Sequence, residues 1–155
     1  MAWMSPAFPV GGFAYSGGLE RAVHDRLVMD AAGLQAWLAT LLHHGSLWND
    51  AVLSCEAWRH HEDERALADV AELGLALAGS SERHLETLSL GKAFIQAAHA
   101  WPHGVFSRRP QAIPFPVAVG AVAAAHGVPL SQALAAYLHA AVSQAISAAI
   151  RLGAC

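Results

Sequence analysis

The chain has 155 residues, 55% of them apolar and only 14% charged, with a formal net charge of -3. That length supports one domain burying roughly two-thirds of the unfolded chain's surface, and a single domain is the expectation. With no Lys/Arg cluster beyond Arg108-Arg109 there is no electrostatic footprint for nucleic acid, and so little charge leaves apolar surface over for partners or self-association.

Helical periodicity dominates and Ala and Leu outnumber Val and Ile, so the expected class is all-α, a single-domain bundle of about six to eight helices over residues 1–155. The chain opens on a Pro- and Gly-rich stretch, "SPAFPVGGFAYSGGLE", Ser5 to Glu20. Ser16 is expected to cap a first helix running to about Val28, and Asp30 a second with Leu34, Trp37, Leu38, Leu41 and Leu42 on one side, ending at Gly45. A third, Leu47 to His61, places Leu47, Ala51, Ser54, Cys55 and Trp58 on one stripe. The patch "HEDER" marks a corner before a fourth, Glu64 to Leu77, closed by Gly79. Ser80 or Ser81 starts a fifth, with Leu85, Leu88, Lys92, Ile95 and Ala98 sharing a face and Glu82 and Glu86 near the positive end of the helix dipole. Pro102 stops it.

Four prolines in "PHGVFSRRPQAIPFP" predict a surface connection, the best candidate in the chain for a mobile loop. Pro116 suits the first turn of the next helix, which ends at "HGVP", and Ser131 is expected to cap the last one, to about Arg151. Their small side chains predict that these two helices form the central pair of the bundle. The run Leu130 to Leu152 is long enough to span a membrane, but His139, Ser143, Gln144 and Ser147 interrupt it, and a buried helix is the expectation. Cys55 and Cys155 suggest neither a disulfide framework nor a zinc knuckle, and no secretory signal opens the chain, so a reducing cytoplasm is expected.

Catalytic readings of the opening stretch fail. "AYSGG" around Ser16 approaches the G-x-S-x-G elbow, but Ala14 replaces the first glycine and no strand precedes the turn. The one Gly-Lys pair, Gly91-Lys92, has Glu86 where a phosphate loop needs glycine and Ala93 where it needs a hydroxyl. The ten histidines raise the possibility of nickel or zinc binding. The adjacent pairs His43-His44 and His60-His61 splay by about 100° on a helix, Pro102 breaks the His99/His103 spacing, and Glu56 with His60 makes at most a two-ligand site. A small helical histidine-rich nickel- or zinc-binding protein is therefore the alternative function. Trp37, Trp48 and Trp58 sit among leucines at helical spacings and read as core.

The opening stretch resembles the N-terminal motif of the urease accessory protein UreF family, approximately S-P-x-x-P-V-G-x-[FY]-x-x-S-x-G-L-E. Ser5, Pro6, Pro9, Val10, Gly11, Phe13, Ser16, Gly18, Leu19 and Glu20 fall on it. "LQAWL", "SERHLETLSLGKAF", "PFPVAVGAVAAAHGVPLSQALAAYL" and "AVSQAISAAIRL" follow in the family's order. Gly17 and His84 depart from it, and family members continue beyond "RLGAC", so the chain looks shortened at its C-terminus. The resemblance implies an all-α cytoplasmic protein with no catalytic residues and no cofactor of its own. It would assemble with UreD (also called UreH) and the GTP-binding UreG, dimerise, regulate the GTPase and help deliver nickel to apo-urease.

Glu20, the one charge in the motif, either caps locally or faces a partner, and the partner is the favoured reading. Tyr15, Ser16 and Gly18 would set the loop's shape beside it. Arg151 matches the family's basic residue near the end of its last motif and is the second interface candidate. Pro6, Pro9, Gly11 and Gly12 are expected to be conformational.

Overall fold

The computed structural model of the chain describes residues 2–5, 8, 10–12, 15–101, 104–106 and 112–154. Among them are a short 3-10 turn, Ala2–Met4, and seven α-helices: α1 Leu19–His24, α2 Ala31–His44, α3 Ser46–Arg59, α4 Glu64–Ala76, α5 Ser81–Ala98, α6 Phe115–Ala125 and α7 Leu130–Arg151. No strand occurs among the described residues, as the all-α expectation required.

Several helix starts follow the capping residues in the sequence. Asp30 accepts from the Gly33 N–H, Asp63 from those of Arg65 and Ala66, and Ser80 from that of Arg83, so each satisfies amides that the first turn leaves open. Gly45 ends α2 and begins α3. Two expected caps fail. α1 begins at Leu19, not Ser16, because Gly17 (φ 59°) and Gly18 (φ 86°) make a left-handed turn that only glycine enters without strain; it ends at His24, short of Val28. α7 is led in by Pro129, and Ser131 caps nothing.

The bundle is organised around α6, whose residues from Pro116 to Ala124 are all buried. Its main neighbours are α3 and α5, with α7 and α4 contributing less, which corrects the expectation that α6 and α7 form the central pair. The reason lies in where the small residues face. A Cβ on Gly120 would lie 2.2 Å from the Ser54 carbonyl oxygen of α3, and one on Gly91 of α5 would lie 2.0 Å from the Ile113 carbonyl oxygen leading into α6. α7, by contrast, buries only Ala133, Tyr137, Ala148 and Ala149 and leaves Ile146 and Ile150 exposed.

The buried stripes of α3 and α5 also differ from those expected. α3 turns Asp50, Leu53, Ser54 and Ala57 inward, and Leu47, Ala51, Cys55 and Trp58 flank them half-buried. α5 buries Glu86, Thr87, Leu90, Gly91, Phe94 and Ala98, with Leu85 62% exposed and Lys92 exposed. In both helices polar residues occupy inward positions, because Asp50 and Glu86 share an ion-pair network and the Thr87 hydroxyl accepts from the Phe115 N–H at 3.2 Å.

Of the tryptophans assigned to the core, Trp48 is 53% exposed and Trp37 and Trp58 are half-buried, Trp58 donating to the Val128 carbonyl at 2.9 Å. The buried indole is Trp3, packed edge-on to Phe94. The Pro-rich connection falls largely outside the described residues, including Pro102, His103 and Arg108-Arg109. Its end is not a surface segment, since Ile113 and Pro114 are buried against α5 and α4. A second, smaller core joins α1, α2 and the end of α7 through Leu19, Ala22, Leu34, Leu38, Ala148 and Ala149.

The Gly120/Ser54 approach gives a direct test. Gly120→Ala overpacks the α3–α6 crossing and is expected to destabilise the protein by about 1–3 kcal/mol in chemical denaturation. Gly33→Ala in α2, whose added Cβ meets nothing closer than 3.5 Å, is expected to raise stability by about 0.5–1 kcal/mol.

Candidate functional site

The described residues of the opening motif form a strap across the bundle, held near both ends. Phe8 packs on Phe94 with ring centroids 5.7 Å apart, and Leu19 is buried in the smaller core. Between them Gln144 of α7 donates from Nε2 to the Gly12 carbonyl, and to the Tyr15 carbonyl at 3.2 Å. A side chain at position 12 would collide with Gln144, so the glycine there permits the close approach expected of it. Gly11 takes a positive φ of 75°. Pro6 and Pro9 lie outside the described residues.

Beneath the strap lies a network the sequence did not announce. The Asp50 carboxylate of α3 accepts from the Arg83 guanidinium of α5 at 2.6 Å and from the Tyr137 hydroxyl of α7 at 2.8 Å. Arg83 also meets Glu86 at 3.0 Å. One buried carboxylate thus ties three helices. Burial alone would lower the Arg83 pKa, but the Asp50 and Glu86 carboxylates outweigh it and raise the pKa above the ordinary guanidinium value. Burial, reinforced by Asp50, pushes the Tyr137 phenol well above its usual value, so it remains a neutral donor.

This network stands between two spaces. On one side is a cavity of about 320 Å³, walled by apolar side chains such as Phe8, Leu41, Leu90 and Phe115. On the other is an open groove between the strap and the α4–α5 corner. Tyr15, Ser16 and Gly17 line both spaces, and Gly18 and Glu20 line the groove. The structure therefore brings Tyr15, Ser16, Gly18 and Glu20 together on one surface. Glu20 is exposed and has no ion-pair partner among the described residues, and the helix cap beside it is Gly18 rather than its own side chain. Arg151 is exposed in the last turn of α7 and is not among the residues lining the groove.

His43 and His44 have ring centroids 6.1 Å apart. Glu56, 3.6 Å from His60, is also held by Arg59 at 2.5 Å. Among the described residues no three His, Cys, Asp or Glu side chains converge as a metal site would need.

Fold and site together define an all-α bundle protein with a glycine-fitted loop strapped over a buried ion-pair network. Sequence comparison places that architecture. A family model described as UreF matches residues 28–155, starting after the motif. Urease accessory protein UreF of Agrobacterium fabrum is 65% identical over 153 residues, covering 99% of this chain and 69% of that protein. The protein of the same name from Rhizobium leguminosarum bv. viciae is 62% identical over 152 residues, 98% of this chain and 68% of the relative. Urease accessory protein UreF 1 of Brucella suis is 59% identical over 152 residues. These alignments take in the strap as well as the helices. The chain belongs to the UreF family of urease accessory proteins.

Two outcomes test the network. Asp50→Ala leaves Arg83 with Glu86 as its one carboxylate partner and takes the acceptor from the buried Tyr137 hydroxyl, and is expected to destabilise the protein by about 3 kcal/mol, against about 1–2 kcal/mol for Tyr137→Phe. The raised folded-state value of Tyr137 gives a stability contribution fully present below the unfolded phenol value of about 10 and lost as pH rises above it. Alkaline titration followed by phenolate absorbance is expected to show Tyr137 ionising only as the protein unfolds, a component absent from Tyr137→Phe.

Proposed function

We propose that the chain is a non-catalytic urease-maturation protein that works by presenting the strapped motif to protein partners. The observation that carries this reading is the placement of Tyr15, Ser16, Gly18 and exposed Glu20 on one groove surface, over polar groups already bonded to one another. Asp50, Arg83 and Tyr137 hold the fold rather than a substrate, and Ser16 lies on a glycine turn rather than a strand-borne elbow.

In this proposal the chain joins UreD (UreH) and UreG on apo-urease, regulates GTP hydrolysis by UreG, and helps nickel reach the urease site as cargo of the complex. The kinship with relatives named urease accessory proteins supports this assignment. The proposed location is the cytoplasm. α7 is long and apolar enough to cross a membrane, but it packs against α3 and α6 and carries Tyr137 bonded to Asp50 and Gln144 bonded to the strap. The proposed homodimer is supported by apolar side chains left outside, Ile146 and Ile150 on α7 and Leu27 and Met29 after α1.

Co-purification with UreD and UreG tests the interface. Glu20→Ala is expected to weaken retention of a partner by about tenfold, near 1.4 kcal/mol, with the melting temperature unchanged. Arg151→Ala is the matching variant at the other candidate position. Unchanged binding by both variants removes these residues from the interface.

A further inference from the structure

We propose that the groove between the strap and the α4–α5 corner receives an extended segment of a protein partner carrying a lysine or arginine, whose cation lies between Glu20 and Glu82 and above Glu86. This rests on the reading of the strap as a partner surface, and adds to it the partner's chemistry and a second wall, Glu82, on a different helix.

The charge lining the groove carries the inference. Its lining includes the acidic residues Glu20, Asp50, Glu82 and Glu86, against Arg21, His24 and Arg83. Arg21 is turned to Asp25, outside the lining, at 2.6 Å. Arg83 alone serves both Asp50 and Glu86, so the floor keeps a surplus negative charge even with its ion pairs formed. At the rim neither Glu20 nor Glu82 has an ion-pair partner among the described residues. Glu82 is held below the usual carboxylate range by hydrogen bonds from its own backbone N–H and from the Ser80 and Ser81 hydroxyls, and so stays ionised at neutral pH.

A concave surface lined mainly by one sign of charge concentrates the opposite sign. The shape suits a long side chain. Leu77, 46% exposed on the α4 wall, offers an apolar surface for a methylene stem, and the ammonium or guanidinium head then reaches the carboxylates. An acidic segment would meet like charge on both rims and on the floor.

The test is a titration of the full ¹⁵N-labelled chain, followed by amide shifts, with acetyl-Gly-Leu-Lys-Leu-Lys-amide and its Glu-for-Lys counterpart. The lysine peptide is expected to give saturable shifts at Gly17, Gly18, Gly79 and Glu82. Its affinity should fall about tenfold in the Glu20→Gln/Glu82→Gln double variant and fall again in high salt. The single variants serve if the double variant loses its melting transition. Equal shifts with the glutamate peptide, indifference to the variants, or no binding up to about 5 mM overturns the proposal. Urease activation in cells is scored separately. Peptide binding without activation keeps the groove and sinks the maturation role, and activation without peptide binding does the reverse.

Discussion

A carboxylate buried in an apolar protein is tolerable only when its charge is answered, and Asp50 is answered from two directions at once. Arg83 reaches it from α5 and Tyr137 from α7, so the axial register of α3 against both helices is fixed by bonds of 2.6 and 2.8 Å. α6 then fits the space these helices leave, and it fits only because Gly120 and Gly91 let backbone meet backbone. Apolar burial drives the collapse, while the polar triad selects one arrangement from the many that an alanine-rich bundle would allow.

The same triad connects fold to function. Asp50 and Arg83, with Glu86, line both the cavity and the groove, Tyr137 lines the cavity, and Tyr15, Ser16 and Gly17 of the strap border both. Gln144 holds the Gly12 and Tyr15 carbonyls and Phe8 and Leu19 pack into the two cores, so these described positions are anchored beside the surface that Tyr15 to Glu20 present. An anchored stretch ending in an exposed carboxylate suits the proposed recognition, and the groove's surplus of negative charge would give that recognition a sign.

Much of this was legible in the residues. Asp30 and Ser80 announce helix starts because a short polar side chain before an apolar run has few other uses. The opening motif marked the surface that now carries Glu20, and the family resemblance read from it agrees with the comparisons. The inward faces of α3 and α5 were not legible, since periodicity assigns charged residues to solvent, whereas Asp50 and Glu86 are buried through partners distant in sequence. The central role of α6 over α7 was hidden for a related reason. Both helices are rich in small residues, and only the facing backbone of Ser54 and Ile113 shows which glycines are used.

The central claim is that this bundle supports urease maturation through the surface that the strap presents. Urease activity in cells lacking their own UreF-family protein tests it most directly, with the chain and its Glu20→Ala variant supplied at matched soluble levels. The chain is expected to restore activity and the variant markedly less. Failure of the soluble, folded chain to restore activity, or equal restoration by the variant, would contradict it.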